Sequence, residues 1–262
     1  MVVGFAIVMI AANSITSALE NPAAALLIGP LLAVGVLWLY RTATARVERR
    51  PATELDRGGA TRRVLIGMAV GFLLAAATTG VIALLGGYEI TGWGSLAGAL
   101  TVVGIMCAVA VSEEVLFRGV IFRLIEQRWG TWLALASSAI LFGLVHLVNP
   151  GATLWGALAI AIEAGLMLGA AYAVTRSLWL PIGLHLGWNI TTVAVFGSIA
   201  SGSDSAGALV TTSTPGPIWL TGGTLGLEGS VIAVVLCSIA TAALLVTAHR
   251  RGRLIGRRRA SR

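Results

Sequence analysis

Eight apolar runs follow one another along the chain, at 2–19, 22–40, 64–85, 96–124, 131–148, 152–175, 178–199 and 230–248. Each approaches or exceeds the ~20 helical residues needed to cross a hydrocarbon core about 30 Å thick. A backbone inside lipid has no water to bond, so such runs must close their hydrogen bonds internally, as helices do. Of the 262 residues 57% are apolar and 11% charged, against roughly 25% charged in an average soluble domain. That balance excludes a soluble domain, a disordered chain and a disulfide-stapled secreted fold. The expectation is an all-α, polytopic membrane helical bundle of about eight transmembrane helices. Cys107 and Cys237 lie inside apolar runs, where a redox or metal role is not expected.

Asn21 and Pro22 stand where an N-cap and a first helical residue belong, so the first two runs read as a helical hairpin. The first run has no basic leader and reads as a span rather than a cleaved signal peptide, although it is short and interrupted by Asn13. All 18 basic residues are arginine, which suggests a GC-rich genome and a bacterial plasma membrane as the location. The net charge of +7 could suggest nucleic acid, but no stacking aromatics are interleaved with the arginines, and nucleic acid is not an expected partner. Seven arginines lie within 41–63 and seven within 250–262, which is a positive-inside pattern. With the 41–63 loop cytoplasmic, both termini are cytoplasmic, and Arg123, Arg128 and Arg176 fall on the same side. The external segments 20–21, 86–95, 149–151 and 200–229 then carry Glu20, Glu89, Asp204 and Glu228 and no arginine. Three parts follow: an N-terminal hairpin and basic loop (1–63), a membrane-embedded core (64–248), and a basic tail (249–262) expected to touch anionic lipid headgroups. The 200–229 loop, rich in Gly, Ser and Thr, is expected to be irregular.

An ionisable side chain at mid-bilayer costs at least ~2.5–3.5 kcal/mol, so each one found there needs a reason. Here these are Glu113, Glu114, Arg118, His146, Glu163 and His185, with Asn189 as a neutral companion. Glu114 and Arg118 are four apart and share a helix face, whereas Glu113 points about 100° away. Glu114 is the natural partner of Arg118. Glu113 is left without a sequence-local cation, in the setting of a general base acting on water. The plain structural alternative, one salt-bridge cluster fixing helix packing, is a poor source of stability. Phe142 lies one turn before His146 and can shield it from lipid. His185 and Asn189 share a face and can both donate to one developing oxyanion, with Gly183 and Gly187 beside them allowing another helix to approach closely. Glu163 sits near the second small-residue pair, Gly165 and Gly169, as a supporting residue that could partner Arg118 or a histidine.

Glu-Glu-x-x-x-Arg, Phe-x-x-x-His and His-x-x-x-Asn, in this order on successive spans, resemble the CPBP family, the CAAX-protease and bacteriocin-processing (Abi) intramembrane proteases related to the Rce-type CAAX endopeptidases. The resemblance covers 112–189 and the eight-helix plan. It implies an intramembrane endopeptidase in which Glu113 activates water with the support of Glu114 and Arg118. His146 would position that water, and His185 and Asn189 would stabilise the oxyanion. Its substrate would be a membrane-associated protein or peptide, prenylated in eukaryotic relatives. No cofactor is favoured; a zinc site built from Glu113, His146 and His185 is the alternative mechanism, opposed by the neighbouring Arg118 and by the lack of His-Glu-x-x-His. A non-proteolytic scaffold or immunity protein, and a transporter, are the alternative functions. By the limits above, His146 lies near the outer end of its span, His185 two turns from the inner face and Glu113 between them. A tilted or sunken helix is needed to level the three.

Overall fold

The computed structural model describes residues 1–203 and 207–256; Asp204 of the outer loop and Arg257, Arg258, Arg259 and Arg262 of the tail lie outside the described residues. All eight apolar runs are helical. They form α1 (Val2–Ser17), α2 (Pro22–Val47), α3 (Ala60–Leu84), α4 (Leu96–Trp129), α5 (Thr131–Val148), α6 (Leu154–Thr175), α7 (Trp179–Asn189) and α8 (Val231–Arg250). Six of them, α2 to α6 and α8, are long and apolar enough to cross a membrane. The protein is therefore an integral, multi-pass, all-α membrane protein. The other two are shorter: α1 has 16 residues, and α7 has 11 followed without a break by the six-residue π turn Ile190–Val195.

Local chemistry sets the helix starts. The Asn21 side chain accepts from the Ala23 and Ala24 amides ahead of Pro22, while Ser95, Thr153 and Ser230 cap α4, α6 and α8 in the same way. The 200–229 loop is more ordered than its composition predicts. Val210–Ser213 (β2) pairs antiparallel with Glu89–Trp93 (β1), with an irregularity between Ile90 and Gly92. A helical turn at Ile218–Thr221 and 3₁₀ turns at Gly223–Leu225 and Leu227–Gly229 follow. Together the two strands close the outer ends of the helices with a short ribbon.

Burial separates inner from lipid-facing helices. In α4 and α6 the most apolar windows are 72% and 78% buried, against 22% in α8. The helices that carry Glu113, Glu114, Arg118 and Glu163 are thus well removed from lipid, whereas α5, which carries His146, is 39% buried. Within three helices the backbone widens into π turns: Val115–Phe122 in α4, Ala161–Leu166 in α6, and Ile190–Val195 directly after α7. Each lies within two residues of a polar motif residue, as π turns at functional sites commonly do.

Glycine brings α3 and α7 together backbone to backbone. A Cβ on Gly183 or Gly187 would fall on the Val64 or Met68 backbone. One on Gly67 or Gly71 would meet the backbone at Leu180 or Leu184. The small-residue pair expected from the sequence is therefore matched by a second pair on α3. G187L is expected to lower the apparent melting temperature in detergent by several degrees, overpacking of this kind costing about 1–3 kcal/mol or more. G80L, on the same α3 but with nothing within 4 Å of its Cβ position, is expected to leave melting unchanged.

Candidate active site

The helix ends on the side of the 41–63 loop are joined by a part-buried charge cluster. Arg50 donates to both Glu54 oxygens at 2.7 and 2.9 Å and to Glu48 at 2.7 Å. Arg123 donates to Glu48 at 2.5 Å and to the Gly119 carbonyl, in the α4 π turn, at 2.8 Å. The Tyr40 hydroxyl reaches the Glu54 carboxylate and the same Gly119 carbonyl. Burial alone would raise the Glu54 carboxyl, but hydrogen bonds from Arg50 and Tyr40 outweigh it and hold it below its usual range. Glu48 is likewise lowered against its burial by Arg123 and Arg50.

This cluster levels the three motifs. The Leu178 amide donates to the Glu54 carbonyl at 3.0 Å, and the Leu178 side chain packs beside Gly119. Helix α7 therefore starts at the depth of Gly119, well inside α4, rather than at the inner surface. At 1.5 Å per residue, His185 stands about 10 Å above Leu178, and Glu113 about 9 Å above Gly119. Counted from the α4–α5 turn at Gly130, Glu113 and His146 lie about 26 and 24 Å along their helices. The expected depth mismatch came from ending the fourth span at Leu124, whereas α4 runs on to Trp129.

At that level the two neighbouring glutamates part, as their spacing predicts. One oxygen of Glu114, Oε1, accepts from Arg118 at 2.7 Å and faces His185 Nδ1 at 3.1 Å. Arg118, fully buried, also donates to the Gly165 and Ala164 carbonyls at 3.0 and 3.4 Å. These carbonyls are exposed by the α6 π turn, so Arg118 bolts α4 to α6 through the backbone. Its guanidinium lies 4.6 Å from the Phe142 ring centroid, a cation–π placement. Phe142 also packs edge-on to His185 at 6.1 Å and against His146 at 4.9 Å. It separates the histidines instead of merely covering one from lipid.

Glu113 is free of that network; its nearest charged neighbour is His185 Nε2, 3.9 Å away. It lines a cavity of about 670 Å³ together with Phe142, His146, Glu163, His185 and Asn189, while Glu114 and Arg118 lie behind the wall. His146 has Nδ1 at 2.7 Å from the Phe142 carbonyl, an arrangement that leaves Nε2 as the free ring atom. Asn189 Nδ2 is engaged only with the Met106 sulfur, a weak acceptor, at 3.5 Å. Glu163 bonds neither Arg118 nor a histidine, and its Oε2 is buried without a partner. Among the described residues, no three His, Cys, Asp or Glu side chains are grouped to hold a metal ion.

Sequence reasoning placed Glu228 in the outer loop. It is 5% exposed, accepting from Trp188 Nε1 at 3.1 Å and Ser201 Oγ at 2.5 Å, and it lines the same cavity. A lone acid ahead of a serine-capped run carries no sequence signal of such burial. The cavity reaches Glu20, Asn149, Ser201 and Ser203, at the end of the bundle opposite the Arg50–Arg123 cluster.

One cavity therefore brings together a carboxylate, two histidines and a carboxamide from α4, α5 and α7. Residues 93–191 match the model of the Rce1-like family, the type II CAAX prenyl endopeptidases, and all three motifs fall inside the match. This is the family relationship that the motifs resemble, and it supports an endopeptidase working in the membrane. No curated protein and no solved structure matches the chain.

Since Glu48 and Glu54 are lowered, the stability they lend is complete above the ordinary glutamate value of 4.5 and is lost as pH falls through their folded values. Removing one partner of a buried pair costs on the order of 3–5 kcal/mol. E54Q is therefore expected to melt well below the native chain at pH 7, with the gap closing in melts run below pH ~4.5.

Proposed function

We propose that the chain is an intramembrane endopeptidase in which Glu113 is the general base. Glu113 takes a proton from water as the water oxygen bonds to the scissile carbonyl carbon. It then passes that proton to the amide nitrogen as the C–N bond breaks. His146 Nε2 orients the water, and Asn189 Nδ2 and His185 Nε2 donate to the carbonyl oxygen as it becomes negative. Glu114 and Arg118 are positioning residues: they hold His185 and fix α4 against α6. The observation that carries this reading is the division of labour between adjacent carboxylates, with Glu114 consumed by Arg118 and His185 while Glu113 faces the cavity with His185 Nε2 standing off at 3.9 Å. A metal-free mechanism is favoured by the Arg118 guanidinium packed behind the acids, whose charge opposes a divalent cation.

The cavity mouth lies away from the arginine-rich end. With the positive-inside rule, the mouth faces the extracytoplasmic side and the substrate is drawn from there or from the outer leaflet. In a chain lacking Cys107 and Cys237, a cysteine at Ser203 is expected to react with a membrane-impermeant maleimide on intact cells. A cysteine at Arg57 should react only after permeabilisation, and the reverse pattern overturns the orientation.

The proteolytic reading is tested by comparing protein termini in membranes carrying the native chain or E113Q. New termini are expected only with the native chain, with a loss of about 10²–10⁴-fold in E113Q and no effect of a zinc chelator. Identical termini in both would return the cluster to a scaffold role, and loss of cleavage on chelation would favour zinc.

A further inference from the structure

The cavity wall carries four glutamates, Glu20, Glu113, Glu163 and Glu228, and no arginine; the chain has no lysine. Glu113 has His185 within 3.9 Å, and Glu20 stands exposed at the mouth. Glu163 and Glu228 are different. They are 1% and 5% exposed, they are close enough to act on each other electrostatically, and neither forms an ion pair among the described residues. Glu228 is held in place by Trp188 and Ser201, neutral donors that orient a carboxylate without cancelling its charge. Glu163 rises from the π turn of α6 with Oε2 unpartnered and turned to the cavity. Two acids facing one another inside a membrane stabilise nothing by themselves. The chain group that approaches the Glu163 carboxyl is the Cys237 thiol, a weak donor without charge, so among the described residues no cation answers the two acids.

We infer that Glu163 and Glu228 form an acidic subsite, in the wall of the cavity that also holds Glu113, that takes a cationic side chain, lysine or arginine, of the bound polypeptide. The cation would sit between the two carboxylates, shielded by the apolar wall around Met167, Leu168 and Leu184. Charge-assisted hydrogen bonds in such a water-poor site are stronger than their solvent-exposed counterparts. A neutral side chain would leave both acids unpaired, so the subsite selects by what it would leave unsatisfied as much as by what it binds. The inference deepens the peptidase reading and rests on it only for the polypeptide nature of the ligand.

The test uses the full chain carrying E113Q in lipid nanodiscs and two short apolar peptides identical but for arginine in one and citrulline, its neutral isostere, in the other. Calorimetric titration is expected to show the arginine peptide binding at least about tenfold tighter, and the ratio should fall towards one in E113Q/E163Q and E113Q/E228Q proteins whose melting temperatures match that of E113Q. Equal binding of the two peptides to E113Q, binding of neither, or a ratio that survives E163Q overturns the subsite. Native chain that cleaves both peptides equally well also overturns the subsite and leaves the peptidase reading standing. Arginine-selective binding without cleavage by the native chain would overturn the peptidase reading and keep the subsite.

Discussion

The fully buried pairing of Arg118 with Glu114 is the constraint around which the rest of the molecule is arranged. A guanidinium with no exposure has no water to bond, and its burial is sustained only if most of its N–H groups find acceptors. One carboxylate oxygen and two backbone carbonyls meet that demand. The carbonyls exist as acceptors because α6 opens into a π turn at that height. The same Glu114 oxygen that neutralises Arg118 also orients His185. One ion pair thus sets the separation of α4 and α6, the direction of an α7 side chain, and the freedom of Glu113.

Close packing on one side permits the open space on the other. Glycines let α3 and α7 touch through their backbones, and Gly29 and Gly104 do the same for α2 and α4. Helices locked at such short separations present a rigid wall, so the cavity between α1, α4, α5, α6 and α7 is not filled by collapse. The π turns widen the inner helices on the cavity side. Small residues outside and widened backbone inside together leave a chamber of about 670 Å³ at the depth where polar side chains stand.

Much of this was legible in the sequence, for identifiable physical reasons. The runs were readable because lipid forbids unpaired backbone. The Glu114–Arg118 pair followed from helical spacing, and the α7 glycines from their four-residue repeat. The π turns were not readable, because a single inserted residue per turn shifts hydrophobic periodicity too little to register in helices that are apolar all round. The burial of Glu228 was not readable, because an acid in a glycine-rich loop looks solvated until Trp188 and Ser201 are known to meet it. The depth of α7 depended on Glu54 and Tyr40, partners more than a hundred residues away from it, and local patterning contains no term for such a contact.

The distribution of charge divides the molecule along its axis. At one end arginines and glutamates neutralise each other in a closed cluster that pins α2, α4 and α7 to one level. In the cavity and at its mouth there are glutamates and no arginines. A basic end that fixes orientation in the membrane and an acidic chamber that opens away from it are two consequences of one asymmetry. Had the arginines been spread evenly, the chamber acids would have found internal partners, and Glu113 would be one more member of a salt-bridge network. Segregating the cations leaves a carboxylate in the membrane with nothing of the chain's own beside it except a histidine. A bound water and a polypeptide substrate can then complete its surroundings.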